Sequence, residues 1–130
     1  MSGRDVARMV GAGRIAAGAT LVIAPRLVTR AWLGADGDTA GAAVLARAMG
    51  IRDAVIGAIA LHTLDNPQVG PRWQRTAALI DGVDLAATLA ARRQVPATGV
   101  ALAAVVASGA IVAELWAAGR LKAIAEPPAV

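Results

Sequence analysis

The chain has 130 residues, 57% of them hydrophobic and 2% aromatic, with a formal net charge of +4 and a mean hydropathy of +0.59. Soluble domains are about 45–50% apolar, and aromatic side chains supply much of their buried area; an Ala- and Gly-rich chain with neither Phe nor Tyr is better suited to helices packed backbone to backbone in lipid. With no Cys, disulfides, thiolate metal sites and a Cys nucleophile are excluded. The basic residues form no run and are not interleaved with aromatics, which argues against nucleic acid and for loops that face anionic lipid.

Taken in order, Ser2-Gly3-Arg4-Asp5 has the spacing of a capping box, with Asp in place of Glu. A helix is expected from about 6 to 24, stopped by Pro25. About 19 residues at 1.5 Å each just cross a ~30 Å hydrocarbon core. A cleavable signal peptide competes with this reading, but Arg14 interrupts the apolar region and no Ala-x-Ala site follows. The segment Arg26 to Gly34 is short and amphipathic, with Trp32 placed as an interfacial anchor. A loop over 35–39 follows, in which Asp38 or Thr39 can cap the next helix. That helix is expected over about 40–63. Leu64 to Pro71 is the clearest turn, and Pro71 a favoured first residue for helix three, which is expected to run to about Arg93. Pro96 opens helix four. Gln94 to Ala113 is 20 residues without a charge, which meets the transmembrane criterion by itself. Trp116, Arg120 and Lys122 form an interfacial flank, and residues 126–130 read as a frayed tail.

The expected fold is therefore all-α and a single domain over 1–130. It is a four-helix transmembrane bundle, up-down-up-down, with spans at about 6–24, 40–63, 72–93 and 97–117 and a short interfacial helix after the first. At and beyond the span ends, Arg4, Arg8, Arg72, Arg75, Arg120 and Lys122 on one side stand against Arg26, Arg30, Arg92 and Arg93 on the other. This bias places both termini in the cytoplasm of a bacterial inner-membrane protein.

The expensive residues lie inside the spans. Gly50, Asp53 and Gly57 form one helical stripe, and Gly11, Arg14 and Gly18 repeat its spacing. Glycines beside a charge let another backbone approach closely. Asp81 and Asp84 lie one turn apart. Arg14, Arg47 and Arg52 balance Asp53, Asp81 and Asp84 in number, so mutual pairing in one buried layer is expected. Sequence alone does not fix the partners. Arg52 lies about 100° around its helix from Asp53, and the favoured arrangement turns Asp53 toward Arg14 and Arg52 toward helix three.

The order Ala24-Pro25-Arg26, Trp32-Leu33-Gly34, Ala46-Arg47-Ala48-Met49-Gly50-Ile51-Arg52-Asp53 with Gly57, then an aspartate pair, resembles a domain-of-unknown-function family. Its members are small bacterial and fungal four-helix membrane proteins, similar in architecture to the DoxX-like group. The resemblance covers roughly residues 6–92 and implies an integral membrane bundle. It brings no reaction and no catalytic residue.

Three functions fit the residues. The first is binding of a lipophilic small molecule or a membrane partner through the layer of Arg14, Arg47, Arg52, Asp53, Asp81 and Asp84. The second is an enzyme acting on a lipid or isoprenoid-like substrate, with Asp81 or Asp84 as acid or base. The third is an accessory subunit of a larger membrane complex. A purely structural role for the layer, fixing helix register, competes with all three. His62, the only histidine, is a poor metal site alone, and Glu114 is expected to snorkel to the interface. No cofactor and no metal are expected. Membrane lipid is the expected surrounding, and self-association is left open.

Overall fold

The computed structural model describes residues 1–125 as five α-helices: α1 (Gly3–Ile23), α2 (Pro25–Leu33), α3 (Ala40–His62), α4 (Val69–Ala90) and α5 (Ala97–Ala125). A 3-10 turn, Gly34–Asp38, joins α2 to α3. The segment 126–130, expected to fray, lies outside the described residues.

Local chemistry sets the boundaries. The Ser2 hydroxyl accepts from the Asp5 N–H at 3.2 Å and the Asp5 carboxylate accepts from the Ser2 N–H at 2.9 Å, closing the capping box. Ala24 leaves the helical conformation, as a residue before proline tends to, and Pro25 is at once the first residue of α2. One proline thus ends one helix and starts the next. Gly34 closes α2 at φ 67°, a conformation that glycine adopts without steric cost. Thr39 caps α3 by accepting from the Ala42 N–H at 3.1 Å.

Four expected boundaries move, the first being the start of α1, at Gly3 rather than about residue 6, because Ser2 is its cap. Helix α4 starts at Val69 rather than Pro71, because the Asn66 side chain accepts from the N–H groups of Gln68 and Val69, each at 3.0 Å. Pro71 then sits in the first turn, where its missing N–H has no intrahelical partner to lose. The helix ends at Ala90 instead of Arg93, in a turn closed by the Arg92 and Gln94 N–H groups. Helix α5 runs to Ala125, past the expected 117, because no proline or run of turn residues interrupts Ala97–Ala125.

The long helices assort into two close pairs, α1 with α3 and α4 with α5, while α3 and α4 meet sparsely. Glycine spacing explains the first pair. A methyl group on Gly57 would come within 2.5 Å of the Gly11 carbonyl oxygen, and one on Gly50 within 2.5 Å of the Gly18 carbonyl. The two helices therefore run antiparallel with their backbones in contact, and each Cβ that is absent is a requirement of that approach. Helices α1 and α5 meet at one end, where Val6, Ala7, Leu64, Ala117 and Leu121 are buried together. At the other end α2 lies across the start of α5, with the Gly99 position against the Trp32 backbone carbonyl.

Two helical stretches, Gly3–Ile23 and Ala97–Ala123, are long and apolar enough to cross a membrane. Helices α3 and α4 have 23 and 22 residues but carry charge along their length: Arg47, Arg52 and Asp53 on the first, Arg72, Arg75, Asp81 and Asp84 on the second.

Candidate functional site

The buried face of α1 carries Gly11, Arg14 and Gly18, and the glycines on either side of Arg14 bring α3 close. Arg14 is only 8% exposed. Its Nη1 lies 3.5 Å from Asp53 of α3, its Nη2 2.5 Å from Asp81 of α4, and its Nε 2.9 Å from Glu114 of α5. Nη2 also donates to the Ala77 carbonyl at 3.3 Å. One guanidinium thus joins α1 to all three other long helices. Removing such a charge from water is costly, and only several partners with good geometry offset it.

A second arginine sits beside the first group. Arg52 forms a two-pronged contact with the Asp84 carboxylate, one arm at 3.2 Å and the other shorter, and its Nη2 also reaches Asp53 at 3.3 Å. Planar, bidentate geometry of this kind is the strong form of the arginine–carboxylate contact. Asp53 therefore bridges the two arginines. The Thr88 hydroxyl, in the next turn of α4, donates to the Asp84 backbone carbonyl at 3.0 Å.

The structure brings together Arg14, Arg52, Asp53, Asp81 and Asp84 of the expected layer, and corrects it twice. Arg47 is exposed and lies apart, on a surface hollow it shares with Arg26, Leu27 and Val44. Ala43, Ala46 and Gly50 belong to the buried stripe of α3, and Arg47 is one residue, about 100°, beyond it. Glu114, expected at the interface, is fully buried in the cluster. The position of Glu114 follows from where α5 ends. Arg14 lies eleven residues past Gly3 and Glu114 eleven before Ala125, so antiparallel helices with aligned ends bring the two to one level. His62 is exposed at the end of α3.

Beside the cluster is a cavity of about 650 Å³. Its walls come from α1 (Val10, Gly13, Ala17, Leu21), α4 (Leu85, Thr88) and α5 (Leu102, Val106, Gly109, Ala110). Val28 and Trp32 of α2 and Met49 of α3 also line it, and Arg14, Asp53, Asp81 and Asp84 form its polar patch. Gly13, Ala17 and Thr20 on one side and Leu102, Val106 and Gly109 on the other are exposed, so the mouth lies between α1 and α5. A cavity of this size with apolar walls and a few convergent polar groups is the usual form of a small-molecule site, typically about 300–1,000 Å³.

The chain matches no family model, no curated protein and no solved structure. The resemblance to a domain-of-unknown-function family therefore rests on its quoted residues alone, and function is argued from the cavity and its charges.

Proposed function

We propose that this is a multi-pass integral membrane protein of the bacterial cytoplasmic membrane, with four spans and both termini on the cytoplasmic side. It binds a lipophilic ligand in the cavity between its helix pairs. The observation that carries the reading is the cavity itself: apolar walls, a mouth between two helices, and a charged patch that would fix the polar end of the ligand.

The distribution of side chains supports the membrane setting. Arg14 and Glu114 are buried, whereas Val105 is 73% and Leu45 67% exposed, and Val44, Leu79, Val83 and Val112 also face outward. A soluble domain avoids large contiguous apolar surfaces of this kind; lipid requires them. The charges that keep α3 and α4 from resembling apolar spans are turned inward, apart from Arg47, Arg72 and Arg75 in the first turns of those helices or just beyond. Such residues reach the interface by snorkelling. A mouth between α1 and α5 would open sideways into the hydrocarbon.

A second reading, turnover of a bound lipid with Asp81 or Asp84 as acid or base, draws on the presence of both carboxylates on the cavity wall. Arg14 and Arg52 engage both, which supports binding over proton transfer.

Purification in lipid nanodiscs followed by native mass spectrometry tests the proposal. The protein should stay with membranes through an alkaline carbonate wash and carry a bound small molecule. Gly13→Leu and Gly109→Leu should reduce that occupancy, because a side chain at either position meets nothing within 4 Å and has the cavity to fill. Recovery in the soluble fraction overturns the membrane reading. Equal occupancy in both variants overturns the ligand site.

A further inference from the structure

The charges around the cavity do not balance, and the imbalance selects a ligand class. The groups that face the cluster are Arg14 from α1, Arg52 and Asp53 from α3, Asp81 and Asp84 from α4, and Glu114 from α5. Two guanidinium groups serve four carboxyl groups. Arg47, which would have matched the three aspartates in number, is outside the set, and Glu114, a fourth carboxyl group, is inside. On the cavity wall the inequality is sharper: Asp53, Asp81 and Asp84 line it with Arg14 alone, while Arg52 meets Asp84 and Asp53 without reaching the wall. The apolar walls around these carboxylates leave them few other polar partners. Buried acceptors and uncompensated carboxylates are both unfavourable in a low-dielectric interior.

We propose that the ligand of this cavity is a lipophilic cation of the alkylammonium type, its positive end at Asp53, Asp81 and Asp84 and its chain along the apolar walls. The inference rests on the ligand-binding reading above and names the class of molecule it takes. An ammonium head supplies the missing positive charge and N–H donors for carboxylate acceptors. A bare metal ion fits less well, since no three His, Cys, Asp or Glu side chains among the described residues are spaced to hold one, and the apolar walls would go unused. The volume of about 650 Å³ accommodates a chain of about ten carbons within the usual range for small-molecule sites.

The test compares three probes of equal chain length on the full-length protein in zwitterionic nanodiscs, with empty nanodiscs as the partitioning control. The probes are decylammonium, decanol and decyl sulfate, and calorimetry gives their affinities. Decylammonium should bind at least about tenfold tighter than decanol, and decyl sulfate weakest, since a charge contact worth one decade is modest in this setting. Asp84→Asn should lower the preference for decylammonium over decanol to less than about threefold. The comparison of probes on the unaltered protein stands even if that variant does not fold. Equal binding of all three probes overturns the charge inference and leaves the ligand site intact. Tightest binding of decyl sulfate overturns it in favour of the arginines. If no probe binds above the control, and Gly13→Leu changes nothing, the ligand-binding reading itself falls.

Discussion

Helix α1 is packed in two different ways on its two sides. Toward α3, methyl groups added to Gly18, Gly50 or Gly57 would strike the facing backbone. Toward α5, Gly13 lines a cavity and a methyl group there meets nothing within 4 Å. The same residue type on one helix marks closest contact on one face and open space on the other. The α1–α3 side is held by dispersion between backbones, which falls off within a fraction of an ångström. The α4–α5 side is held through Arg14, Arg52 and a small apolar cluster at one end. The difference separates a fixed scaffold from a side with room for a ligand.

Four substitutions would break or sharpen that contrast, read as thermal or denaturant unfolding in detergent. The largest effect is expected from Arg14→Met, which leaves three carboxylates facing one another and should cost about 3–5 kcal/mol, the usual consequence of orphaning buried charge. Combining it with Asp53→Asn, Asp81→Asn and Glu114→Gln should cost less than Arg14→Met alone. Additive effects would mean that the groups are not coupled. Next comes Gly18→Leu on the tight side. Overpacking there should cost about 1–3 kcal/mol, and an unchanged midpoint would show that α1 and α3 are not in backbone contact. Arg52→Met should be smaller, about 1–2 kcal/mol, because hydrogen bonds to charged groups are valuable but solvent screens a partly exposed pair. The Arg52 side chain is 36% exposed, so the 3–5 kcal/mol typical of a fully buried charge does not apply to it. Gly13→Leu should be the smallest, neutral or stabilising by up to about 1 kcal/mol through helix propensity alone. A loss comparable to Gly18→Leu would mean that the two faces of α1 do not differ.

What the sequence revealed was what a single helix can reveal. The glycine stripes of α1 and α3 were legible because i, i+3 and i+7 positions share a face whatever the helix packs against. The capping box at Ser2 and the Thr39 cap were legible because their partners lie three residues away. The composition of the charged cluster was not. Arg47 sits in the same apolar run as Arg52, and only the direction of the buried stripe of α3 excludes it. Glu114 depended on where α5 ends. A helix stopped near 117 leaves Glu114 at an interface, whereas one that continues to Ala125 puts it in the middle. The cavity was invisible, since it arises where α1 and α5 diverge between two contacts far apart in sequence. Whether α3 and α4 can cross a membrane depends on whether their charges face inward, which hydropathy does not record.

The reach of Arg14 also bears on how the chain is made. Its contact with Asp81 spans 67 positions and that with Glu114 spans 100. At about 5–20 residues per second, the ribosome delivers Glu114 some 5–20 s after Arg14. Asp53 and then Asp81 emerge within that interval, so the partners of the Arg14 guanidinium arrive one at a time and the set is complete only with Glu114. On the proposed membrane reading, α1 could not complete its insertion alone: the insertion machinery would have to shelter the helix, or the helix would lie near the headgroups, until its partners emerge. The residue that ties the finished protein together is thus the one that delays its first step, and a truncated product ending before α5 would carry Arg14 without Glu114 and present itself to quality control as unfinished.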